Sequence, residues 1–306
     1  MHIISIIGNG YHTKKNLVPS IESSNNFAIN NIYSNKKENY GKNYFSYLKN
    51  SIEKDKADLF IISTPPTSHL KILSYLTEIK KPIVIEKPLS ISLDKVKEMI
   101  KISRNNSMKI FEGLMFLYHP YISKLNKIIE NEKVIEINSK FIIPLPNSSN
   151  FRVDINKGGG SLLDTGIYIL SIMQYLNLNN ISEYKNFINR KLDVGGKIKA
   201  TNNEFLFSGE WGFGEYSNYL EINTVNNTYK FNFFYSKPIG YEHSIEQFSK
   251  GNFIKKIDFS DENHFLNMYK NILNNYDNIN YTEINYELIL SRWDYIDILQ
   301  NKSKKI

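Results

Sequence analysis

The sequence contains no cysteine. Disulfides, thiolate metal sites and cysteine nucleophiles are therefore excluded. No apolar run approaches the roughly 18 residues that a membrane-spanning helix needs, so no membrane partner is expected. The opening MHIISIIGNG has no basic segment, only a short apolar run and no small-residue cleavage site. The expectation is a cytoplasmic chain without a secretory leader. No His, Asp and Glu residues fall at metal-ligand spacing, so no metal is expected. Internal repeats are absent. Acidic residues are outnumbered, 31 Asp and Glu against 38 Lys and Arg, but the lysines are scattered among asparagines. Nucleic-acid binding needs clustered basic residues and is not expected. A modest positive bias also suits an anionic cofactor or a phosphorylated substrate.

What is present is a globular composition. The chain has 306 residues, 41% of them hydrophobic and 13% aromatic, enough for two domains with real cores. In the first half, apolar strands alternate with amphipathic helices. Strands are predicted at His2–Ile7, Ala28–Asn35, Asp58–Thr64, Pro82–Pro88 and Met108–Leu114. Helices are predicted at Thr13–Glu22, Tyr44–Lys54, from Thr67 or Ser68 through Ile79, and at Ser92–Asn105. Strands that are apolar throughout indicate a parallel sheet covered on both faces. The second half reads as an open, largely antiparallel sheet. Its strands are predicted at Val134–Ile143, Phe205–Phe213, Ser217–Thr224 and Thr228–Tyr235, with late helices at Glu262–Asn275 and Asn285–Gln300. The fold class is thus α/β, a doubly wound parallel domain over residues 1–119 followed by an α+β domain over 120–306. The C-terminal helix is free to return to the first domain.

GNGYHT, Gly8 to Thr13, follows the first strand and opens a helix. Gly8 and Gly10 match the first two glycines of G-x-G-x-x-G, with Thr13 in the third place. Gly8 permits the tight turn, and Gly10 lets backbone approach a pyrophosphate at a helix N-terminus. Asn9, Tyr11 and His12 complete the loop. At the end of the second strand, YSNKK carries no carboxylate to hold a ribose 2′-hydroxyl. Ser34, Asn35 and Lys36 better suit a 2′-phosphate, which predicts NADP(H) in preference to NAD(H). VIEKPLS closes a buried strand with Glu86, Lys87 and Pro88. Ligands of doubly wound sheets bind at the carboxyl ends of strands, so Lys87 is predicted to project into the cofactor crevice.

These motifs occur together with STPPTSH (Ser63–His69), FEGLMFLYHP (Phe111–Pro120), NFR (Asn150–Arg152) and GGGSLLDTGIY (Gly158–Tyr168). In that order and spacing the chain resembles the Gfo/Idh/MocA oxidoreductases, over nearly its whole length. The resemblance implies a Rossmann domain with a bound nicotinamide cofactor. It implies a second domain whose open sheet packs in dimers or tetramers. It implies that Lys87 is catalytic or orients substrate, and that Asp164 lies in the substrate pocket. Thr64, Pro65 and His69 would line the cofactor, with Glu86 near its nicotinamide end. Tyr118, His119 and Arg152 could reach the substrate region.

The chain departs from the family pattern at two positions. Many members carry histidine four residues after the pocket aspartate, where this chain has Tyr168. Relatives often place arginine where Leu117 stands, and Arg152 can supply that charge instead. Hydride transfer to a carbonyl creates an alkoxide that needs a proton donor and nearby positive charge. A free tyrosine titrates near pH 10, and a neighbouring ammonium lowers that value. Tyr168 is therefore the expected acid/base, assisted by Lys87. Asp164, one helical turn earlier, would hold a sugar hydroxyl or Lys87. Trp211 and Phe213 in EWGFG read as sheet-packing residues, and His2, His243 and His264 receive no role. The expected substrate is a sugar or nucleotide sugar, in surface-polysaccharide or deoxysugar synthesis. Aldose or dihydrodiol oxidation is the alternative chemistry, and a non-catalytic dinucleotide sensor is the alternative class.

Overall fold

In a computed structural model of the chain, the residues described are 1–34, 52–236, 242–259 and 263–303. The chain divides into two compact units. One comprises Met1–Met115 with Phe265–Asp294, and the other Phe116–His264 with Tyr295–Ile306.

In the first unit, β1 (His2–Ile7), β2 (Phe27–Tyr33), β3 (Leu59–Ile62), β4 (Pro82–Glu86) and β5 (Lys109–Gly113) form a parallel sheet in the order β2-β1-β3-β4-β5. Ile4, Ile6, Ile61, Ile83 and Ile85 are fully buried, as strands covered on both faces require. A π-helical turn at Thr13–Leu17 leads into α1 (Val18–Glu22). Then come α2 (Pro66–Ser74) and α3 (Leu93–Asn105). The predicted helix through Ile79 ends at Ser74 and continues as turns, with Leu76 N donating to Leu73 O and Ile79 N to Leu76 O. Of the predicted helix Tyr44–Lys54, only Ile52–Lys54 is described, as a 3₁₀ turn; the rest lies outside the described residues.

The strand order runs one way from β1 to β2 and the other way from β1 to β3. That reversal opens a crevice at the carboxyl ends of β1 and β3, where doubly wound sheets bind ligands. The far edge of the sheet is β5, and a helix covers it. The chain's late helices are α6 (His264–Asn275) and α7 (Ile279–Ser303). Asn285 Nδ2 donates to Ile110 O at 2.9 Å. Tyr286 OH donates to Met108 O at 2.9 Å and accepts from Ile110 N at 3.4 Å. Side chains thus take the hydrogen bonds that a sixth strand would make, so the open edge is covered. Helix α7 begins earlier than its apolar pattern predicts, because Asn278 Oδ1 accepts from Asn280 N and Tyr281 N at its start.

Among the described residues the second unit has eight strands: β6 (Val134–Ile143), β7 (Asn180–Asn189), β8 (Leu192–Thr201), β9 (Leu206–Phe213), β10 (Ser217–Thr224), β11 (Asn227–Asn232), β12 (Ser244–Ser249) and β13 (Asn252–Asp258). Their order is β13-β12-β11-β10-β6-β9-β8-β7. Only the β6–β9 pair is parallel; the other neighbours run antiparallel. The strand predicted through Tyr235 stops at Asn232, because Phe233 turns the chain with φ of 55°. Helix α4 (Tyr121–Asn131) precedes the sheet. Helix α5 (Ile167–Tyr175), with the π-helical turn Leu162–Gly166 before it, packs on β6, β8 and β9. Ile137, Phe141, Phe207, Trp211 and Leu220 form the buried side of the sheet. A Cβ at Gly166 would stand 3.0 Å from Trp211 Cδ1, so the indole is a packing residue, as EWGFG suggests. Charged residues pair elsewhere on these strands: Glu210 lies 3.5 Å from Lys140 and 3.3 Å from Lys197.

No helix among the described residues is long and apolar enough to cross a membrane. No group of three or more His, Asp or Glu among them is placed to hold a metal ion.

Candidate functional site

In the first unit, the candidate residues stand at the ends of three neighbouring strands. Gly8, directly after β1, has φ of +118°, and a Cβ there would stand 2.3 Å from Ser63 O. No other residue fits. Gly8 N donates to Tyr33 O at 2.9 Å, at the end of β2. The buried hydroxyl of Thr13 lies 3.0 Å from both Gly8 O and Ser63 Oγ. Thr13 therefore takes the third small residue's place by bonding the loop rather than by being small. Space around Gly10 is open to 4 Å, which leaves backbone accessible where a helix begins. These features fit a dinucleotide pyrophosphate. Asn9, Tyr11 and His12 lie in the same loop, and Tyr11 is well exposed. Ser34 follows β2 immediately; Asn35 and Lys36 lie outside the described residues.

His12 is less incidental than its position suggests. Asn16 Nδ2 lies 2.8 Å from His12 Nδ1. The amide donates, so Nδ1 accepts and Nε2 carries the proton. Nε2 is 3.3 Å from Glu86 Oε1 at the end of β4, close but not aligned as a hydrogen bond. The phosphate loop and the Glu86–Lys87 corner thus meet.

The segment after Glu86 is held at Leu89. Its amide donates to Glu112 Oε1 at 3.0 Å, and its carbonyl faces His69 Nδ1 at 3.0 Å. His69 Nε2 lies 2.8 Å from Thr64 O. Burial lowers the His69 pKa, so the ring is neutral and donates to one of these two carbonyls. His69, expected to line the cofactor, is fully buried and braces the loops after β3 and β4. Thr64 Oγ1 accepts from Ser68 Oγ at 2.8 Å, and Pro65 stands at the N-cap of α2. Lys87 is partly exposed and joined to Pro88 by a cis peptide bond.

In the second unit, the three glycines fold against the Asn150–Arg152 turn. Asn150 Oδ1 accepts from Arg152 N at 3.1 Å. Gly159 N donates to Asp154 O and Gly160 N to Arg152 O, both at 2.9 Å. A Cβ at Gly159 would stand 2.7 Å from Arg152 O, Asp154 N and Asp154 O. The glycines therefore serve a close backbone crossing within this unit. That crossing brings Arg152 Nε to 3.3 Å from Asp164 Oδ2, and Asp164 is nearly buried. Arg152 and Asp164 are brought together as an ion pair. Tyr168 is buried among Phe116, Phe141 and Tyr235, with ring centroids 5.1–5.6 Å away.

Asp193, on β8, escaped the sequence reading. Its Oδ1 accepts from Ser161 Oγ at 2.9 Å and its Oδ2 from Leu162 N at 2.5 Å. It therefore caps the helical run that carries Asp164 and Tyr168. Desolvation raises its pKa to about 6. His119 is placed differently from the expectation of substrate contact. It is buried, stacked on Tyr121 at 3.9 Å, and close to His243 at 4.3 Å.

Residues 3–114 match a family model described as "Oxidoreductase family, NAD-binding Rossmann fold". Over that stretch the chain matches the Gfo/Idh/MocA oxidoreductase family. The chain is 27% identical over 120 residues to a dTDP-3,4-didehydro-2,6-dideoxy-alpha-D-glucose 3-reductase of Actinomadura kijaniata, covering 38% of this chain and 36% of that protein. It is 26% identical over 167 residues to a trans-1,2-dihydrobenzene-1,2-diol dehydrogenase of Sus scrofa, covering 52% and 48%. The matched stretches thus span less than half the length of these curated relatives. The fold itself extends over the whole chain. A 3-ketoreductase from Actinomadura kijaniata, solved in complex with NADP and TDP-benzene, superposes with a TM-score of 0.83 at 17% identity, covering 98% of this chain and 97% of that one.

The chain also holds Glu112 and Arg292 as a buried pair, 2.8 Å apart. Glu112 stands inside FEGL, a segment that carried the family resemblance without a role for the glutamate. Arg292 and Asp193 had no motif. Each reaches its partner across the fold, and sequence spacing gives no sign of such a contact.

Proposed function

We propose that this chain is an NADP(H)-dependent oxidoreductase acting on a CH–OH or carbonyl carbon of a sugar or nucleotide sugar, with Tyr168 as acid/base assisted by Lys87. The observation that carries this reading is the Gly8 loop. Its positive φ and the lack of room for a Cβ beside Ser63 O suit a phosphate cradle at the sheet's reversal point, in a chain that also keeps Lys87, Asp164 and Tyr168. Gly8, Asn9 and Gly10 would hold the pyrophosphate with backbone N–H groups. Ser34, with Asn35 and Lys36, would receive a 2′-phosphate. The bound nicotinamide supplies or accepts the hydride.

The protein's residues handle the proton. In the reducing direction the Tyr168 phenol gives its proton to the oxygen that becomes a hydroxyl, and solvent reprotonates the phenolate. The Lys87 ammonium lowers the cost of that phenolate and polarises the substrate oxygen. Asp164, aimed by Arg152, accepts a hydrogen bond from a sugar hydroxyl. The guanidinium of Arg152 is partly exposed and suits a diphosphate or hydroxyl of the substrate. The nucleotide-sugar reductase among the relatives, and the 3-ketoreductase solved with NADP and TDP-benzene, support a nucleotide-sugar substrate and NADP. Assembly into a dimer or tetramer through the open sheet belongs to the same reading, and sedimentation velocity tests it.

The deciding experiment uses Tyr168→Phe, which keeps the ring among Phe116, Phe141 and Tyr235. NADPH-linked reduction of keto nucleotide sugars is expected to slow by about 10²–10⁴-fold, with NADPH affinity unchanged. Near-normal turnover would sink the assignment. NAD(H) binding as tight as NADP(H) would overturn the reading of Ser34.

A further inference from the structure

The Glu112–Arg292 pair does more than link α7 to the sheet edge. Both side chains are almost fully buried, at 1% and 5% exposure. Replacing a buried ion pair by apolar residues of similar volume is often neutral or stabilising, so stability alone explains such a pair poorly. Its geometry offers another reason. Glu112 spends one oxygen on Arg292 Nη2 at 2.8 Å and the other on the Leu89 amide at 3.0 Å. His69 meets the Leu89 carbonyl at 3.0 Å. The Leu89 amide is therefore held by Glu112 and its carbonyl faces His69, two residues beyond Lys87. The intervening Pro88 has a ring-fixed φ, which leaves little slack between Leu89 and Lys87.

We propose that Glu112 and Arg292 are positioning residues for Lys87, acting through the Leu89 amide. Glu112 supplies the acceptor, and Arg292 holds that carboxylate in one orientation. The inference rests on Lys87 being catalytic, as proposed above. All the groups in the chain of contacts belong to the first unit: Arg292, Glu112, Leu89, His69 and Thr64.

Two double variants separate positioning from charge. Both remove the ion pair. Glu112→Gln with Arg292→Met keeps an oxygen acceptor for Leu89, whereas Glu112→Leu with Arg292→Met removes it. Three quantities are measured on the full chain: hydrogen exchange in the peptide spanning Val84 to Ser92, NADPH affinity, and kcat and KM for the keto sugar. The leucine pair is expected to exchange faster at Leu89 and to lose on the order of 10- to 100-fold in kcat, the scale of a small misplacement. KM and NADPH affinity should move by less than about threefold. The glutamine pair should restore slow exchange and bring kcat back to within about threefold of wild type. If the leucine pair does not fold, Glu112→Ala with Arg292→Met is the second variant without an acceptor.

Equal exchange at Leu89, or equal kcat, in the two pairs would overturn the positioning role. Lys87→Met is assayed alongside. Retained turnover there would overturn the catalytic reading of Lys87, while the exchange comparison still decides whether Glu112 clamps Leu89.

Discussion

Asp193 makes the stability of the second unit depend on pH in an unusual direction. Desolvation moves its carboxyl from an ordinary 3.8 to about 6, against the hydrogen bonds from Leu162 N and Ser161 Oγ. Between those two values the folded protein binds more protons at this site than the unfolded chain does. The stabilising contribution is complete below about 3.8 and is lost as pH rises through about 6. At about 1.4 kcal/mol for each tenfold change, the ionised carboxylate costs about 3 kcal/mol at neutral pH relative to its protonated form. Asp193→Asn mimics the protonated form. Its amide oxygen can accept from Leu162 N, and its amide nitrogen can donate to the Ser161 hydroxyl. The variant should therefore exceed wild type by up to about 3 kcal/mol at pH 7.5, and the difference should vanish near pH 4. The two tryptophans fall one in each unit, Trp293 in the first and Trp211 in the second. Urea unfolding followed by Trp211 fluorescence, in a Trp293→Phe background, therefore reports the relevant unit. Two units need not melt together, so this separation matters. An asparagine variant less stable than wild type at pH 7.5, with a gap that does not change by pH 4, would refute the reasoning. The charge would then be repaid in full by the helix end it caps.

Other substitutions test the candidate residues of each unit separately. Gly8→Ala places a Cβ 2.3 Å from Ser63 O, and NADPH affinity measured by fluorescence titration should fall at least about tenfold. Gly159→Ala meets three backbone atoms at 2.7 Å; the strain should cost about 1–3 kcal/mol of second-unit stability in the same urea assay. Arg152→Leu leaves the nearly buried Asp164 without this cation, so substrate KM should rise roughly tenfold or more while NADPH affinity stays at the wild-type value.

The parts of this fold that were readable from sequence are those whose cause is local. Five apolar strands and the Gly8 loop follow from short-range pattern, and the structure places them where the pattern predicts. The strands β7, β8, β12 and β13 carry Lys, Glu and Asn at high density and offer little apolar alternation. They become strands by pairing with distant neighbours, so no window of sequence reveals them. The glycines at 158–160 were conspicuous, but their reason was not. Their reason is a close crossing, because Gly159 is pressed against the backbone of Arg152 and Asp154. His69 and His119 illustrate the opposite difficulty. Each lies in a motif of the right family, yet both rings are buried and engaged with neighbouring groups of their own unit. Asp193, Glu112 and Arg292 were silent because each acts across more than 20 residues of chain.

The helix that closes the edge of β5 also fixes an order of events during synthesis. Asn285 and Ile110 are 175 residues apart in the chain. A ribosome adding about 5–20 residues per second needs roughly 10–35 s to cover that distance. Through that interval the strand edge at Met108 and Ile110 is made but uncovered. Residues 116–264, the larger part of the second unit, emerge complete before the first unit receives its last piece. The unit that begins the chain is thus completed only after most of the second has been made, and Tyr295–Ile306 follows it. Its exposed edge strand is where a nascent copy would most readily pair with another chain.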